Sequence, residues 1–461
     1  MSYVYQPELL YSNGAFLRGA SLVVDDHGRI EQIVDSGRSI SAAHTLISLP
    51  GRALLPGFVN AHSHAFQRLI RGKAESRVTS GKDFWSWRRT MYHAACAVSA
   101  EQMYRAARMV FLEMVMAGIT TVGEFHYVHN QPEGKAYPDA NTLARQVMAA
   151  ARSVGIRIVL LRSAYQRAGF RLQPEGGQRR FYEATSAYLK SVEALLGETS
   201  DTVGVGLAPH SIRALPLSEI KTIAAWARER GLPIHMHMAE QIAESEASVR
   251  EYGATPVALL AREHLLGSDW TAIHAIHLRE EEFAMLEDSG ATICSCPTTE
   301  RNLGDGIFAA DAAIRHRIPI ALGSDSQAQI DPLEDARQLD YHLRLVQQER
   351  AVLDQLDGVP IEQRLFAAST VGGASALQVA AGELSPGRAA DFFTVDLSDL
   401  SIAGYGDADL LARIVFGMNR TALRDVAVQG KLIVRDGKHL LHAEIVHEYE
   451  QTHQEVWSGG E

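Results

Sequence analysis

Two histidines one residue apart, His62-Ser63-His64, close the apolar run Leu54-Leu55-Pro56-Gly57-Phe58-Val59-Asn60-Ala61. Side chains at i and i+2 of a strand point to one face, so both imidazoles aim the same way. Such a pair is half of a divalent-metal site, and zinc is its most common occupant. An isolated His-x-His is more often a chance pair in a surface loop, so the missing ligands decide the matter. The segment Pro233-Ile234-His235-Met236-His237-Met238-Ala239-Glu240 offers a third imidazole. His235 and His237 share a face, and His237 is the choice because it lies nearer the strand end. Glu240, three residues on, reaches the same centre and suits proton shuttling. Asp325, in Gly323-Ser324-Asp325-Ser326, can ligate a metal and accept a proton from water, although alone it reads equally well as a helix N-cap. His274 either binds the metal or donates a hydrogen bond to substrate. His62, His64, His237 and Asp325 then give three nitrogens, one oxygen and an open position, the pattern of a catalytic rather than a structural site.

These residues need elements that bring them together. From Leu54 onward, short apolar runs alternate with segments of helical period. The runs are 54–60, 118–125, 157–163, 203–209, 233–239, 271–275, 291–296 and 318–323. Eight such runs predict an α/β fold, a (β/α)8 TIM-like barrel over 54–383, with an open doubly wound sheet as the competing architecture. In a barrel, functional residues sit just after the strands, and here the runs end at His62/His64, Glu124/His126, His210, His237/Glu240, His274/His277 and Asp325. Residues 1–53 and 384–461 carry short alternating strands and turn signals, and predict a small β-sandwich domain with a C-terminal tail built from both chain ends.

The bulk composition narrows the class of function. A net charge of −11 argues against nucleic acid or an anionic membrane surface as the main partner. Cys96, Cys294 and Cys296 are too few for a disulfide framework; the last two read as core thiols, and a reducing cytoplasm is expected. Neither a signal peptide nor a membrane-spanning run is visible. A homodimer is the usual expectation for such an enzyme.

The constellation resembles the amidohydrolase superfamily, through His62-x-His64 after strand one, a histidine after strand five, His274 after strand six and Asp325 after strand eight. Strand four ends Gly206-Leu207-Ala208-Pro209-His210-Ser211 without a lysine, which is similar to the single-metal branch. That branch is rich in deaminases and carries His-x-x-Glu, matched by His237 and Glu240. Longer loops narrow the likeness to the formimidoylglutamate deiminases of histidine degradation. These are Asn60-Ala61-His62-Ser63-His64-Ala65-Phe66-Gln67-Arg68, Phe84-Trp85-Ser86-Trp87-Arg88, Glu124-Phe125-His126-Tyr127, Tyr165-Gln166-Arg167-Ala168-Gly169-Phe170, Ala208-Pro209-His210-Ser211-Ile212-Arg213 and Cys296-Pro297-Thr298-Thr299-Glu300-Arg301-Asn302-Leu303-Gly304-Asp305-Gly306. The resemblance implies hydrolysis of N-formimino-L-glutamate to N-formyl-L-glutamate and ammonia on one divalent ion, with Gln67, Arg88, Tyr127, His210 and Arg213 at substrate-contacting positions. It also implies Asp325, Glu240 and His274 as the groups that handle protons and the tetrahedral centre. The segment Ser326-Gln327-Ala328-Gln329-Ile330 departs from the pattern, which leads one to expect a histidine near 327.

An anionic dicarboxylate substrate has independent support in the loops. Residues 67–93 hold Arg68, Arg71, Lys73, Arg77, Lys82, Arg88 and Arg89 against Glu75 and Asp83. Residues 165–182 hold Arg167, Arg171, Arg179 and Arg180 against Glu175. Most of these are solvated loop charges on general grounds, and Arg88 and Arg213 are the two expected to grip carboxylates. Two other readings stand beside this one: a deaminase of an aromatic base or nucleoside-like compound, and a barrel that binds without catalysing.

Overall fold

The eight apolar runs become eight parallel strands. The computed structural model of the chain describes residues 2–35, 44–76, 84–173 and 176–458, with the side chains of 84–86 excepted. The barrel strands are β1 (Phe58–Ser63), β2 (Ile119–His126), β3 (Arg157–Ala164), β4 (Val203–Pro209), β5 (Ile234–Met238), β6 (Trp270–His274), β7 (Thr292–Ser295) and β8 (Ile320–Leu322). They pair in sequence order. Every residue of β1, β2 and β3 is buried, as strands covered on both faces must be.

The barrel closes through a single bridge between Ser63 and Asp325. The amide of Asp325 donates to the carbonyl of His62 and that of His64 to the carbonyl of Asp325, each at 3.0 Å. Gly323 permits this approach. A Cβ there would lie 2.7 Å from the Cβ of His62 and 2.9 Å from its carbonyl oxygen.

Both chain ends join a mixed sheet of nine strands among the described residues. Its N-terminal strand Tyr3–Ser12 runs parallel to Thr45–Pro56, which in turn pairs antiparallel with Phe392–Asp396 from the far end. The register corrects the first run read from sequence. Leu54, Leu55 and Pro56 pair with Thr394, Phe393 and Phe392 in this sheet, so the barrel strand begins at Phe58 rather than Leu54. Both halves of the run are fully buried, so apolar character does not reveal the change of sheet at Gly57.

Helices α1 (Phe84–Ala97) and α2 (Ala100–Val115) follow β1, and α3 (Ile242–Tyr252) follows β5. Helix α2 starts at a capping box in which Ser99 and Gln102 satisfy each other's backbone amides, and it buries Met103, Ala107, Val110 and Met114 at helical spacing. Beyond the sheet, helix α4 (His442–Ser458) lies along α2. No helix among the described residues is long and apolar enough to cross a membrane.

Candidate active site

His62, His64, His237 and Asp325 meet at the mouth of the barrel. One ligand atom from each lies within 4.8 Å of the others, and all four residues are buried. Nε2 of His62 and Nε2 of His64 each lie 3.1 Å from Oδ1 of Asp325. The second ring nitrogens of His64 and His237 are fixed from behind, while Nδ1 of His62 has no partner among the described residues. Nδ1 of His64 donates to the carbonyl of Phe125 at 2.8 Å, and Nδ1 of His237 to the carbonyl of His210 at 3.0 Å. A carbonyl only accepts, so these contacts set the tautomer and leave each Nε2 to offer a lone pair. Nε2 of His64 and the Asp325 carboxylate then face each other as two acceptors, an arrangement that a shared cation resolves. Burial pushes His62 down to about 3 and His237 well below the usual histidine range, which keeps these two imidazoles in the neutral, ligating form. Burial alone would raise Asp325, but the adjacent His62 and His64 outweigh it and hold the carboxyl well below its usual range. The donor set therefore fits one divalent ion.

Local backbone geometry aims these side chains. Asp325 and His274 leave their strands at φ 44° and 69°, and Ala239 and Ala275 at 50° and 52°. Left-handed backbone at non-glycine residues costs on the order of 1–2 kcal/mol each, and such strain concentrates where function demands a particular orientation. Behind the ligands, Gln327 clasps the barrel seam. Its Nε2 donates to Ser63 Oγ at 2.9 Å and to the Asp325 carbonyl at 3.0 Å, and its Oε1 accepts from Ser324 Oγ at 2.9 Å. Gln327 is fully buried behind the ligands, so the departure from the expected histidine falls behind the site and not among the residues lining its cavity. Glu124, at the end of β2, accepts from Ser63 Oγ at 2.6 Å and from the Ala65 amide at 2.7 Å, and so fixes the loop that carries His64.

A narrow cavity of about 50 Å³ opens above the ligands. Gln67, Arg88, Tyr127, His210 and Arg213, the five substrate-side positions expected from sequence, all line it, together with Glu240, His274 and Asp325. Gln67 donates to the Tyr127 hydroxyl at 2.7 Å, and its Oε1 has no partner. Arg88 donates to the hydroxyls of Tyr165, at 3.2 Å, and Tyr92. His210 stacks on His237 with ring centroids 4.7 Å apart.

His274 stands apart from the other histidines. Its Nε2 lies 3.9 Å from Glu240, and its Nδ1 donates to Glu300 at 3.3 Å. Burial would lower it, but Glu240 and then Glu300 outweigh burial and hold it at about 10, an imidazolium at neutral pH. Burial raises Glu240 in turn, against the pull of His274. Sequence reasoning assigned Glu300 no role. Its signal was position alone, five residues beyond the end of β7, where it accepts from Ser295 Oγ and the Cys296 amide. His235 is a buried core residue bonded to the Ala376 carbonyl, and Cys294 and Cys296 are buried free thiols.

The loop cations divide sharply. Arg68 and Arg71 pair with Glu113, while Arg167 binds the carbonyls of Ile212 and Arg213 and pairs with Glu251. Arg180 is buried against the carbonyls of Ala95, Val98 and Asn130, and Arg179 donates to the carbonyl of Pro132. Arg77, Lys82, Asp83 and Glu175 lie outside the described residues. Arg88 and Arg213 line the cavity.

Comparison with known proteins agrees with this architecture. The amidohydrolase family model matches residues 53–433. This chain belongs to the amidohydrolase family. It is 38% identical over 392 residues to a formimidoylglutamate deiminase of Pseudomonas aeruginosa, covering 84% of this chain and 86% of that one. It is 27% identical over 410 residues to a 5-methylthioadenosine/S-adenosylhomocysteine deaminase of Pyrococcus horikoshii, covering 88% and 89%. Among solved structures, an amidohydrolase from Brucella melitensis superposes with a TM-score of 0.89 at 31% identity, covering 98% of this chain and 99% of that one. As an amidohydrolase the chain is a hydrolase acting on C–N bonds, and the barrel with a sheet from both termini is the fold of its relatives.

Proposed function

We propose that this amidohydrolase hydrolyses N-formimino-L-glutamate to N-formyl-L-glutamate and ammonia, a step of cytoplasmic histidine degradation. The observation that carries the reading is a cavity with a metal-ligating floor and two arginines, Arg88 and Arg213, on its walls. Arginine forks suit carboxylates, and a substrate bearing two of them suits two forks. The Pseudomonas aeruginosa relative supports the same substrate.

His62, His64, His237 and Asp325 would hold one divalent ion, with zinc the default for such ligands. When bound, the ion supplies Lewis-acid activation of water and of the reacting carbon. Asp325 takes the proton of the attacking water. The water oxygen becomes the formyl oxygen, and the imino nitrogen leaves as ammonia. His274, held protonated by Glu240 and Glu300, stabilises the tetrahedral centre by hydrogen bonding. Glu240 carries both water protons to the departing nitrogen, the one first taken by Asp325 and the one the hydroxyl gives up as the C–N bond breaks, so that both carboxylates return to their starting states. Gln67 and Tyr127 orient the chain of the substrate, and His210 packs beside the reacting carbon.

Ammonia release from formiminoglutamate, beside a panel of purines and pterins, tests this reading. The wild-type enzyme turns over formiminoglutamate, Arg213→Met loses about a hundredfold or more in kcat/KM, and Asp325→Asn and Glu240→Gln each lose at least about a hundredfold in kcat. Ammonia from the purine or pterin arm alone establishes instead a deaminase of aromatic bases. That second reading draws on the Pyrococcus horikoshii relative and on the aromatic wall of Trp87, Tyr127 and Tyr165. Near-normal activity in Arg213→Met removes the carboxylate-anchoring role.

A further inference from the structure

The loops that follow β5, β6 and β7 meet beside Glu240 in a ring of hydrogen bonds. Strand β5 ends at Met238, and Ala239 turns the chain at φ 50°, so Glu240 follows a left-handed residue. The carbonyl of Ala239 accepts from the amide of His277, in the loop after β6, at 3.0 Å. The ring of His277 reaches on to the loop after β7, where Nε2 donates to the carbonyl of Asp305 at 2.9 Å. The carboxyl of Asp305 closes the circuit, because its Oδ1 accepts from the side-chain amide of Gln241. Glu240 thus lies between two anchored neighbours, Ala239 held by its carbonyl and Gln241 by its side chain.

Asp305 is the buried member of this ring, and its amide donates to the carbonyl of Glu300 at 3.0 Å. Glu300 is the residue that holds His274, so one loop bears on both Glu240 and His274. Gly306 lets that loop pack closely. It stands at φ 137°, and a Cβ there would lie 2.9 Å from Cγ2 of Ile276 and 3.2 Å from Cε1 of His277. A left-handed residue such as Ala239 persists only where its surroundings over-determine it, and the ring supplies that constraint. Burial, and then the nearby Glu240, raise Asp305 to about 8, with His274 pulling the other way. At neutral pH the group therefore stands mostly as a neutral acid, whose Oδ1 still accepts a hydrogen bond. Such an acid holds its neighbour without setting a second full negative charge beside Glu240.

We propose that Asp305 is a positioning residue for the reaction: through Gln241 and His277 it fixes the turn that carries Glu240, and so the reach of the Glu240 carboxyl to the departing nitrogen. The proposal rests on the proton-carrying role given to Glu240 above. Among the described residues, those lining the catalytic cavity include Glu240 and His274 but not Asp305, Gln241 or His277. Loosening the ring therefore touches the chemical step and spares the walls that bind substrate. A group that hands on protons is sensitive to such loosening, since a displacement of about 1 Å can cost about a hundredfold in rate.

The experiment measures kcat and KM for ammonia release in the metal-loaded wild type and three variants. Asp305→Leu and Gln241→Met each break the bond between the two side chains. Gln241 is half-buried, so its variant carries little risk to folding and decides the matter should Asp305→Leu not fold. Asp305→Asn keeps an acceptor oxygen and imitates the neutral acid. The expected result is kcat at least about tenfold lower in Asp305→Leu and Gln241→Met, with KM within about twofold, and kcat within about threefold of wild type in Asp305→Asn. A kcat within about twofold of wild type in Gln241→Met overturns the proposal. So does a rise in KM as large as the fall in kcat, or an Asp305→Asn variant as impaired as Asp305→Leu. The series is run on formiminoglutamate and on the purine and pterin panel. Ammonia from the panel alone, with the variants keeping the expected pattern there, refutes the substrate assignment and leaves the positioning role standing. Turnover of formiminoglutamate that ignores all three variants does the reverse, and turnover of neither substrate class overturns both.

Discussion

His62 and His274 have ring centroids 6.2 Å apart, yet their surroundings drive them to opposite protonation states. His62 is buried beside other imidazoles and is pushed down to about 3, whereas His274 is flanked by Glu240 and Glu300 and stands at about 10. One type of residue thus stands both neutral, as a metal ligand must, and as a cationic hydrogen-bond donor, with carboxylate placement making the difference. For His274 the folded value exceeds the ordinary 6.5 of the unfolded chain. Its protonation stabilises the fold fully below about pH 6.5, and that contribution is lost as pH rises through about 10. Glu300→Gln removes one of the groups that raise it. The alkaline limb of the kcat/KM profile should then move down by about one pH unit or more. A limb that stays in place in the pH–rate profile of the variant would show that Glu300 does not govern His274. None of this tuning is legible in the sequence, where Glu300 is one acid among 55 acidic residues. The four residues proposed as ligands are legible, because each sits at or just beyond a strand end and strand ends follow from apolar periodicity.

At the scale of elements, the turn Ala65–Ile70 is the critical piece, since it leads out of His64 and carries Gln67. Helix α4 braces it from outside. Tyr449 donates to the Arg68 carbonyl at 3.0 Å and accepts from Arg68 Nη1 at 3.2 Å, while Trp457 donates to the Leu69 carbonyl at 3.0 Å. Tyr449→Phe removes two of these bonds and should destabilise the enzyme by about 1–2 kcal/mol, read as a lower urea midpoint at unchanged m-value. The Arg68–Glu113 and Arg71–Glu113 pairs tie the same turn to α2. Sequence could count these arginines but not separate braces from substrate contacts, because their partners are 42 and 45 residues away. The start of β1 was hidden for a different reason: an apolar run carries no mark of which sheet it enters. Gln327 illustrates the limit most plainly, since its meaning depends on Ser63, 264 residues upstream.

Over the whole molecule, the proposed metal centre ties distant parts of the fold together. An ion held by His62, His64, His237 and Asp325 cross-links β1, β5 and β8, so it stabilises the native state alone. Treating the loaded enzyme with a chelator should lower its thermal midpoint, and adding back the ion should restore it. The linkage amounts to about 4 kcal/mol when free ion exceeds its Kd a thousandfold. A midpoint indifferent to chelation would mean that these four residues hold no ion. The seam at Ser63 and Asp325 has a further consequence, for the chain as it is being made. His62 and Asp325 are 263 residues apart, and the site does not exist until the last strand has met the first. A nascent chain on the ribosome carries both early histidines long before their carboxylate partner is translated. Any partly folded species lacks the high-affinity ligand set, and β1 waits with an unpaired edge. Acquisition of the ion therefore reports completion of the ring, and a pulse-labelled chain should gain chelator-resistant metal only once Asp325 has been made and has met β1.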